Sequence, residues 1–189
     1  MIEIRIHGRG GQGAVIASEI LSYAFFLEGK YSQSFPTFGA ERRGAPVASF
    51  VRVADSFINE RNQVVTPDYV VVLSGKLAET IDVASGIKQN GIIIINSEKE
   101  NSYFSFLNES GCKIKVITVN INKIALKHKL GSAFMPIVNV PILGTFARIT
   151  NLLKLDSLIA CLPKFLGSNV EGNEQALKEA YEQTSLTCI

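Results

Sequence analysis

The sequence predicts an α/β fold, a three-layer sandwich with a mostly parallel central sheet and a helical C-terminal third. Apolar segments with the patterns of strands alternate with segments that have the patterns of helices, which is typical of a parallel sheet covered by helices on both faces. Beyond residue 139 only helical patterns remain. The chain has 189 residues, the size of one ordinary domain, and we expect a single domain over 1–189.

Strands are predicted by alternation or by uninterrupted apolar runs. Isoleucine occupies every second position from Ile2 to Ile6, which is the period of a half-buried strand. The runs 69–73 and 92–95 are apolar throughout, which suits central strands covered on both faces. The remaining predicted strands lie at 30–35, 47–53 and 113–119. If the pair at 30–35 and 47–53 is antiparallel, the sheet is mixed.

Helices are predicted between the strands and after them. The first, at about 12–27, contains no proline, and the second, at 77–88, is stopped by an Asn-Gly pair. Asn139 and the proline two residues later suit the first turn of a helix that continues to about residue 153. Gly144 in that helix either admits another backbone or a ligand, or is simply tolerated. The other predicted helices lie at 121–130, 156–166 and 174–183.

A glycine-rich turn, His7 to Gly13, separates the first strand from the first helix. Gly8, Gly10 and Gly13 match the spacing G-x-G-x-x-G, and such glycines let the backbone approach an anion at the helix start. A dinucleotide site of this kind also needs a carboxylate about 20 residues later, at the end of the next strand. The segment 30–37 contains none, which counts against NAD and FAD. The alternative is that the glycines only close a tight turn.

A second unusual stretch, 36–46, is framed by proline and glycine and has neither helical nor strand periodicity. It therefore predicts an ordered loop, which we call the arginine loop. Three adjacent charged residues lie in it, Glu41, Arg42 and Arg43. The forked donors of the two arginines suit phosphate, and Glu41 would hold one of them in place. The alternative is an exposed surface turn.

Composition argues against several classes of function. The net charge is +2 and charged residues make up 19% of the chain, which gives no broad basic surface for nucleic acid. Charged residues interrupt the N-terminal apolar stretch, so a signal peptide is not expected. The longest nearly apolar run, 14–27, is too short to span a bilayer. We therefore expect a cytoplasmic protein that binds neither membranes nor nucleic acid.

Cysteine and histidine are too sparse to predict a cofactor site on this chain. Cys112, Cys161 and Cys188 are widely separated and form no C-x-x-C motif, so we expect neither an iron–sulfur cluster nor structural zinc. His7 and His128 are the only histidines in the sequence and lie far apart. Two separated histidines are too few side chains to predict a metal site or general-base catalysis.

Taken together, the motifs resemble those of the gamma subunit of the 2-oxoacid:ferredoxin oxidoreductases. The resemblance rests on the glycine turn, on Phe38 to Val47, on Asn139 to Ala147, and on the closing Asn173-x-x-Ala176 helix. These motifs occur in the family's order over essentially the whole chain. The Glu-Arg-Arg-Gly-Ala-Pro-Val form of the arginine loop is most similar to the pyruvate and 2-ketoisovalerate branches.

The resemblance implies that the chain is one subunit of an enzyme complex. This enzyme decarboxylates a 2-oxoacid on thiamine diphosphate, passes electrons through iron–sulfur clusters to ferredoxin and releases an acyl-CoA. The sequence lacks the Gly-Asp-Gly motif of thiamine diphosphate sites and a set of cluster cysteines. Thiamine diphosphate, magnesium and the clusters would therefore lie on the alpha, beta and delta-type partner subunits. This chain would help to bind and orient coenzyme A (CoA), with no catalytic residue and no metal ligand of its own.

The same resemblance implies which residues contact CoA. Arg42 and Arg43 fall near the phosphates, Asn139 offers a polar contact, and the neighbouring turn is lined by Gly8, Gly10, Gln12 and Gly13. A helix cap is an equally good role for Asn139. Two other functions stay open: a free-standing dinucleotide-dependent oxidoreductase, and a purely structural subunit of the complex. The 2-oxoacid is also left open between pyruvate, 2-ketoisovalerate and related acids.

Overall fold

The computed structural model describes residues 1–37, 44–110 and 113–184, except for the side chains of 109 and 110. Its strands are β1 (Ile2–Arg9), β2 (Tyr31–Pro36), β3 (Pro46–Ala54), β4 (Tyr69–Val72), β5 (Ile92–Asn96), β6 (Lys115–Val119), β7 (Gly131–Ser132) and β8 (Met135–Pro136). Its helices are α1 (Ala14–Leu27), α2 (Gly75–Ala78), α3 (Ile121–Lys127), α4 (Pro141–Thr150), α5 (Leu155–Phe165) and α6 (Val170–Gln183). A 3-10 segment at Asn101–Ser110, kinked at Phe104, was not predicted from the sequence.

Strands β1 to β6 form one sheet in the order β2-β3-β1-β4-β5-β6. β1, β4, β5 and β6 are parallel, whereas β3 lies antiparallel to both β1 and β2. The predicted α/β class and the mixed sheet are thereby confirmed. β1 is central, with Ile4 opposite Val51 on one side and Tyr69 on the other. It continues beyond its predicted end because its ladder with β3 runs as far as the pair Arg9 and Pro46.

The two faces of the sheet are covered unequally. Helices α1 and α3 to α6 share one large core with sheet residues such as Ile4, Val51 and Ile94. On the other face, α2, the turns after it and the 3-10 segment cover β4 and β5 through a smaller core around Val72 and Ile93. The sandwich therefore has a thick helical layer, which contains the predicted C-terminal helices, and a thin layer. None of the helices in the described ranges combines the length and apolar character that a bilayer span requires.

The predicted helix at 77–88 is wrong, because the chain forms only the single turn α2 and then irregular turns. Gly86 has a φ of 71°, a left-handed conformation that does not continue a helix. The Arg5 guanidinium donates to the carbonyl oxygens of Val83 at 3.0 Å and Ser85 at 2.6 Å. These bonds satisfy carbonyl groups that would otherwise need helical partners. The apolar residues of the segment are nevertheless buried, which explains the helix-like pattern.

Helices α4 and α6 pack so closely that Gly144 of α4 faces the backbone of α6. A Cβ atom on Gly144 would overlap with the carbonyl oxygen of Leu177 and would lie 3.1 Å from the backbone nitrogen of Tyr181. Of the alternatives left open for Gly144, the close approach of another backbone is the one observed. This contact fixes α4, and the residues just before it, against the rest of the thick layer.

Candidate functional site

The strand order creates a topological switch point between β1 and β4. From β1 the chain passes through α1 to β2 on one side, whereas β4 to β6 lie on the other side. In open α/β sheets, ligands bind at such a point, in the crevice outside the carboxyl ends of the strands. The glycine turn begins in the last residues of β1 at this edge, and Ser74 and Gly75 follow β4. The fold therefore places the predicted anion site where α/β sheets bind ligands.

Hydrogen bonds hold the glycine turn in shape. The side-chain oxygen of Gln12 accepts from the Arg9 N–H at 2.8 Å, and the Gln12 N–H donates to the Arg9 carbonyl at 2.9 Å. Gly10 donates to the Ala45 carbonyl at 2.8 Å and accepts from the Gly44 N–H at 3.0 Å. Gln12 thus shapes the turn through its side chain, and the end of the arginine loop is joined to the turn.

The glycines of the turn have different roles. Gly11 and Gly13 adopt positive φ angles of 94° and 78°, which glycine adopts without steric cost. Their N–H groups have no hydrogen-bond partner among the described residues, so a ligand can use them. Gly8 is a packing residue, because a Cβ atom there would lie 3.1 Å from the side chains of Ala14 and Leu73.

The two predicted phosphate-binding arginines, Arg42 and Arg43, lie outside the described residues, as does Glu41. Their role stays a prediction. Gly44 follows them directly, and its carbonyl accepts from the Arg9 guanidinium at 3.3 Å. The described end of the arginine loop is therefore tied to the glycine turn by side-chain and backbone bonds.

A crevice of about 660 Å³ opens at the switch point. Its lining includes the cationic side chains of Arg9, Lys76 and Lys99 and the carboxylates of Glu79 and Glu98. Arg9 ends β1, Lys76 lies in α2, and Lys99 lies in the turn after β5. Both lysines are exposed, and Arg9 is half-buried. Cations beside the free N–H groups of a glycine turn are the usual chemistry of a phosphate site.

Asn96 fixes the floor of this crevice and is only 3% exposed. Its amide nitrogen donates to the Leu73 carbonyl at 3.0 Å and to the Asn122 side-chain oxygen at 2.9 Å. Its oxygen accepts from the Ile121 N–H at 3.0 Å. Asn96 thereby joins the ends of β4 and β5 to the start of α3, and it determines the shape of the crevice.

Asn139 lies on the other side of the glycine turn, in a second depression of about 460 Å³ that we call the side groove. The side groove is lined by Gly11, Gln12, Gly13, Ile16, Gly131, Ser132, Met135, Pro136, Ile137 and Asn139. Asn139 is 4% exposed, and a Cβ atom on Gly13 would overlap with its amide. Val140, not Asn139, occupies the cap position of α4, and no side chain bonds there. The helix-cap role offered for Asn139 is therefore wrong.

The structure gathers Gly10, Gln12, Gly13 and Asn139 around one turn, but sequence reasoning missed the cations of the crevice. Arg9 lies inside the glycine motif itself. Lys76 and Lys99 each follow a predicted parallel strand by a few residues. Because the carboxyl ends of parallel strands share one edge of a sheet, this spacing was a usable signal.

His7 is buried on the thin-layer face of β1, with 8% exposure. Burial, together with the nearby charge of Arg5, lowers the pKa of His7 to about 4, so the imidazole is neutral near pH 7. Its Nε2 atom has no partner among the described residues. Over the same residues, no group of three or more His, Cys, Asp and Glu side chains is placed to hold a metal ion.

The sheet order, the crevice and the glycine turn define a doubly wound α/β protein with a crevice at its switch point. Comparison with known families gives a narrower assignment. The family model described as pyruvate ferredoxin/flavodoxin oxidoreductase matches residues 3–183. The chain belongs to this family, which confirms the resemblance drawn from the sequence.

Individual relatives agree with this assignment. The chain is 48% identical over 184 residues to pyruvate synthase subunit PorC of Methanothermobacter thermautotrophicus, with 97% of this chain and 96% of the relative covered. It is 47% identical over 188 residues to the pyruvate/ketoisovalerate oxidoreductases common subunit gamma of Pyrococcus abyssi, with 98% of each covered. The crystal structure of pyruvate oxidoreductase subunit PORC from Thermotoga maritima matches with a TM-score of 0.80 at 33% identity, covering 96% of this chain and 95% of that chain. The predicted class, a subunit of an oxidoreductase complex, is confirmed.

Proposed function

We propose that this subunit binds CoA at the switch point of its sheet and orients the CoA thiol toward an acyl group held on a partner subunit. The observation that carries the proposal is the crevice, which combines Arg9, Lys76 and Lys99 with the glycine turn. CoA carries a pyrophosphate and a 3′-phosphate, and cations with backbone N–H groups are suitable partners for both.

Arg42 and Arg43 complete the proposed phosphate site. They directly precede Gly44, which lines the crevice and donates its N–H to the Gly10 carbonyl. A guanidinium group offers a planar fork of donors that matches phosphate oxygens, and it stays charged at any physiological pH. Substituting the pair should therefore weaken CoA binding more than it changes the fold.

The proposed role is one of positioning, since neither histidine of the chain lies at the crevice. Neither His7 nor His128 lines the crevice, and His128 is bonded to Glu179 at 2.6 Å on the surface of α3 and α6. Holding a thiol in line with its acyl partner removes much of the entropic cost of a reaction between two bound groups. Thiamine diphosphate, magnesium and iron–sulfur clusters belong to alpha, beta and delta-type partner subunits in this proposal, and ferredoxin accepts the electrons there.

The proposal also assigns the choice of 2-oxoacid to partner subunits. The relative from Pyrococcus abyssi is named as a subunit common to pyruvate and ketoisovalerate oxidoreductases. A subunit shared in that way has to serve what the two reactions have in common. CoA is such a shared substrate, so pyruvate and 2-ketoisovalerate both remain compatible with this chain.

The geometry argues against a free-standing dinucleotide-dependent oxidoreductase. In such enzymes the strand after the glycine turn and its helix pairs directly with β1 and brings a carboxylate to the ribose. Here β3 is inserted between β1 and β2, which places the end of β2 two strand spacings away, about 9–10 Å. That end is Pro36, and no carboxylate accompanies it.

The test is the complete complex carrying Arg42→Ala and Arg43→Ala together. The complex should assemble with its normal subunit composition, and the Kd of CoA in isothermal titration calorimetry should rise by about tenfold or more, since charge-assisted bonds to phosphate are lost. Arg61→Ala is the matched control, because Arg61 is exposed on a loop at the opposite edge of the sheet.

Two outcomes would contradict the proposal. A double variant that assembles and binds CoA as tightly as the wild type shows that the arginine pair does not contact CoA. A double variant that loses its partner subunits, while Arg61→Ala keeps them, favours the purely structural alternative.

A further inference from the structure

We propose that the outer edge of β2 pairs with the same edge of a second copy of this chain, so that two sheets join antiparallel across a two-fold axis at Gln33. β2 is the end strand of the sheet. None of the described residues that line the crevice belongs to it. The inference therefore goes beyond the binding of CoA and does not depend on it.

The backbone groups of Ser32 and Ser34 point to the open side of β2. Thr37 donates its N–H to the Ala48 carbonyl of β3 at 2.8 Å, and the register of β2 on β3 is continuous. Backbone groups alternate in direction along an antiparallel strand. The odd-numbered residues of β2 therefore bond to β3, whereas the N–H and C=O groups of Ser32 and Ser34 face away from it. These groups have no backbone partner among the described residues.

The edge lacks the usual protection against pairing. Natural edge strands are interrupted by charged side chains, prolines or bulges. The segment Tyr31 to Phe35 contains no charged residue and no proline, and its continuous register on β3 contains no bulge. Pro36 protects only the end of the strand. We therefore expect another strand to cover this edge.

The sequence of the edge favours a second copy as the covering strand. Read in either direction, 31–35 gives aromatic, serine, glutamine, serine, aromatic. In antiparallel pairing centred on Gln33, Tyr31 of one copy lies opposite Phe35 of the other, and Ser32 lies opposite Ser34. Aromatic pairs and hydroxyl pairs across strands stabilise antiparallel sheets. Each opposed pair of serines also exchanges two backbone hydrogen bonds, because the backbone groups of both serines point outward.

The side chains of β2 separate onto two faces. The Ser32 hydroxyl donates to the Ser22 carbonyl of α1 at 2.6 Å, so the serines face α1 and the odd-numbered residues of β2 face the opposite side. On that opposite side Tyr31 contacts Phe57, with ring centroids 6.4 Å apart. These two rings are 51% and 69% exposed. The proposed pairing would place Phe35 of the second copy against Tyr31 and reduce this exposure.

The face toward α1 has an open groove along the same edge. Ser32, Ser34 and Phe26 are among the residues that line this groove of about 460 Å³. Phe26 is 60% exposed, although large apolar side chains on a free surface usually occur singly and not beside an open sheet edge. A second copy at the edge would bring its own groove against this one. The proposed axis thus accounts for exposed aromatic rings on both faces of β2.

The test uses the complete complex with one cysteine at the proposed axis. In a chain with Cys112 and Cys188 replaced by serine, Gln33→Cys should form a disulfide-linked dimer of this subunit under mild oxidation; Cys161 is buried and can stay. Opposite residues that share no hydrogen bonds have Cα atoms about 4.5 Å apart, which a disulfide can span. Non-reducing electrophoresis and mass spectrometry would identify the linked dimer. Gln175→Cys, at an exposed position of α6, is the matched control and should not link.

A second variant separates strand pairing from chance collision. Ser34→Pro removes an outward N–H group from each copy and leaves the hydrogen bonds between β2 and β3 in place. Combined with Gln33→Cys, it should lower the yield of linked dimer about tenfold or more, since each copy loses one backbone hydrogen bond. The far-ultraviolet circular dichroism spectrum should stay that of the wild type.

Each result decides the question. A linked dimer at Gln33→Cys that Ser34→Pro suppresses supports the inference. If Gln33→Cys gives no linked dimer in the assembled complex, or links this chain to a different subunit, the inference is overturned. Equal linking of Gln33→Cys and Gln175→Cys, or linking that Ser34→Pro leaves unchanged, would also overturn it, because the dimer would then come from collision. None of these results bears on the binding of CoA.

Discussion

Replacement of Gly144 by alanine tests the packing that holds the thick helical layer together. Two effects of known sign compete at this position. Alanine is intrinsically favoured over glycine inside a helix by about 1 kcal/mol. Against this, the new methyl group would overlap with the Leu177 carbonyl oxygen and lie 3.1 Å from the Tyr181 nitrogen. These are backbone atoms, so no change of rotamer can relieve the overlap, and α4 and α6 have to separate.

We expect Gly144→Ala to destabilise the protein overall. Adding a methyl group to a well-packed site costs about 1–3 kcal/mol, and the backbone contact at Gly144 places it at the upper end. Subtracting the gain in helix propensity leaves a net loss of about 2 kcal/mol in the free energy of unfolding. Such a loss lowers the Tm of a chain of this size by roughly 4–8 °C. Urea denaturation followed by circular dichroism, and thermal scans, would measure both quantities.

Gly167→Ala is the control, since a Cβ atom on Gly167 meets no heavy atom within 4 Å. We expect its free energy of unfolding to stay within about 0.5 kcal/mol of the wild type. If Gly144→Ala is as stable as the wild type or more stable, the contact between α4 and α6 is looser than described, and the reasoning is refuted.

Two further predictions concern buried polar groups on β1 and β3. Arg52, 2% exposed, donates to Glu3 at 3.0 Å and to the Asn62 carbonyl at 2.7 Å. Arg52→Met should lower the free energy of unfolding, measured by urea denaturation, by about 3 kcal/mol, because both partners lose their donor. The control Arg61→Met should lower it little. Burial lowers the pKa of His7 to about 4, below its unfolded value. The unfolded chain therefore binds a proton first, and the free energy of unfolding should fall by about 2 kcal/mol more between pH 7 and 4.5 than in His7→Leu.

One result would contradict each of these predictions. An Arg52→Met protein as stable as Arg61→Met would mean that the buried ion pair contributes no net stability. Parallel stability curves for the wild type and His7→Leu between pH 7 and 4.5 would mean that His7 titrates normally and is more solvated than its 8% exposure indicates.

Elements with a strong local pattern could be predicted from the sequence. The alternating isoleucines of β1, the apolar runs of β4 and β5 and the glycine turn were all found where they were expected. For Gly144 the sequence left three alternatives open, namely the approach of another backbone, the approach of a ligand, or simple tolerance, and only the packing of α4 on α6 decides between them. The segment 77–88 failed because its apolar spacing is helical, while the deciding contacts come from Arg5, more than seventy residues earlier.

The site could be predicted only where one motif carries it. The glycine turn is contiguous in sequence, whereas Lys76 and Lys99 reach the crevice through the order of the strands, which local patterns do not specify. Asn139 was assigned two roles, a helix cap because asparagine suits a helix start, and a contact with CoA because the resemblance implies it. The cap role would require the helix to begin directly after Asn139, but the helix begins one residue later. Tertiary packing decides where the helix begins.

The central position of β1 has a consequence for how the chain is made. β1 leaves the ribosome before the two strands that flank it, so Ile4 finds its partners only when Val51 and Tyr69 have been synthesised. At about 5–20 residues per second, this strand spends several seconds with both hydrogen-bonding edges open. The crevice cannot exist during that time, since its walls depend on strands that have not yet been made. Nascent chains are therefore most exposed to aggregation before β4 emerges, and slower translation of residues 10–68 should lower the soluble yield.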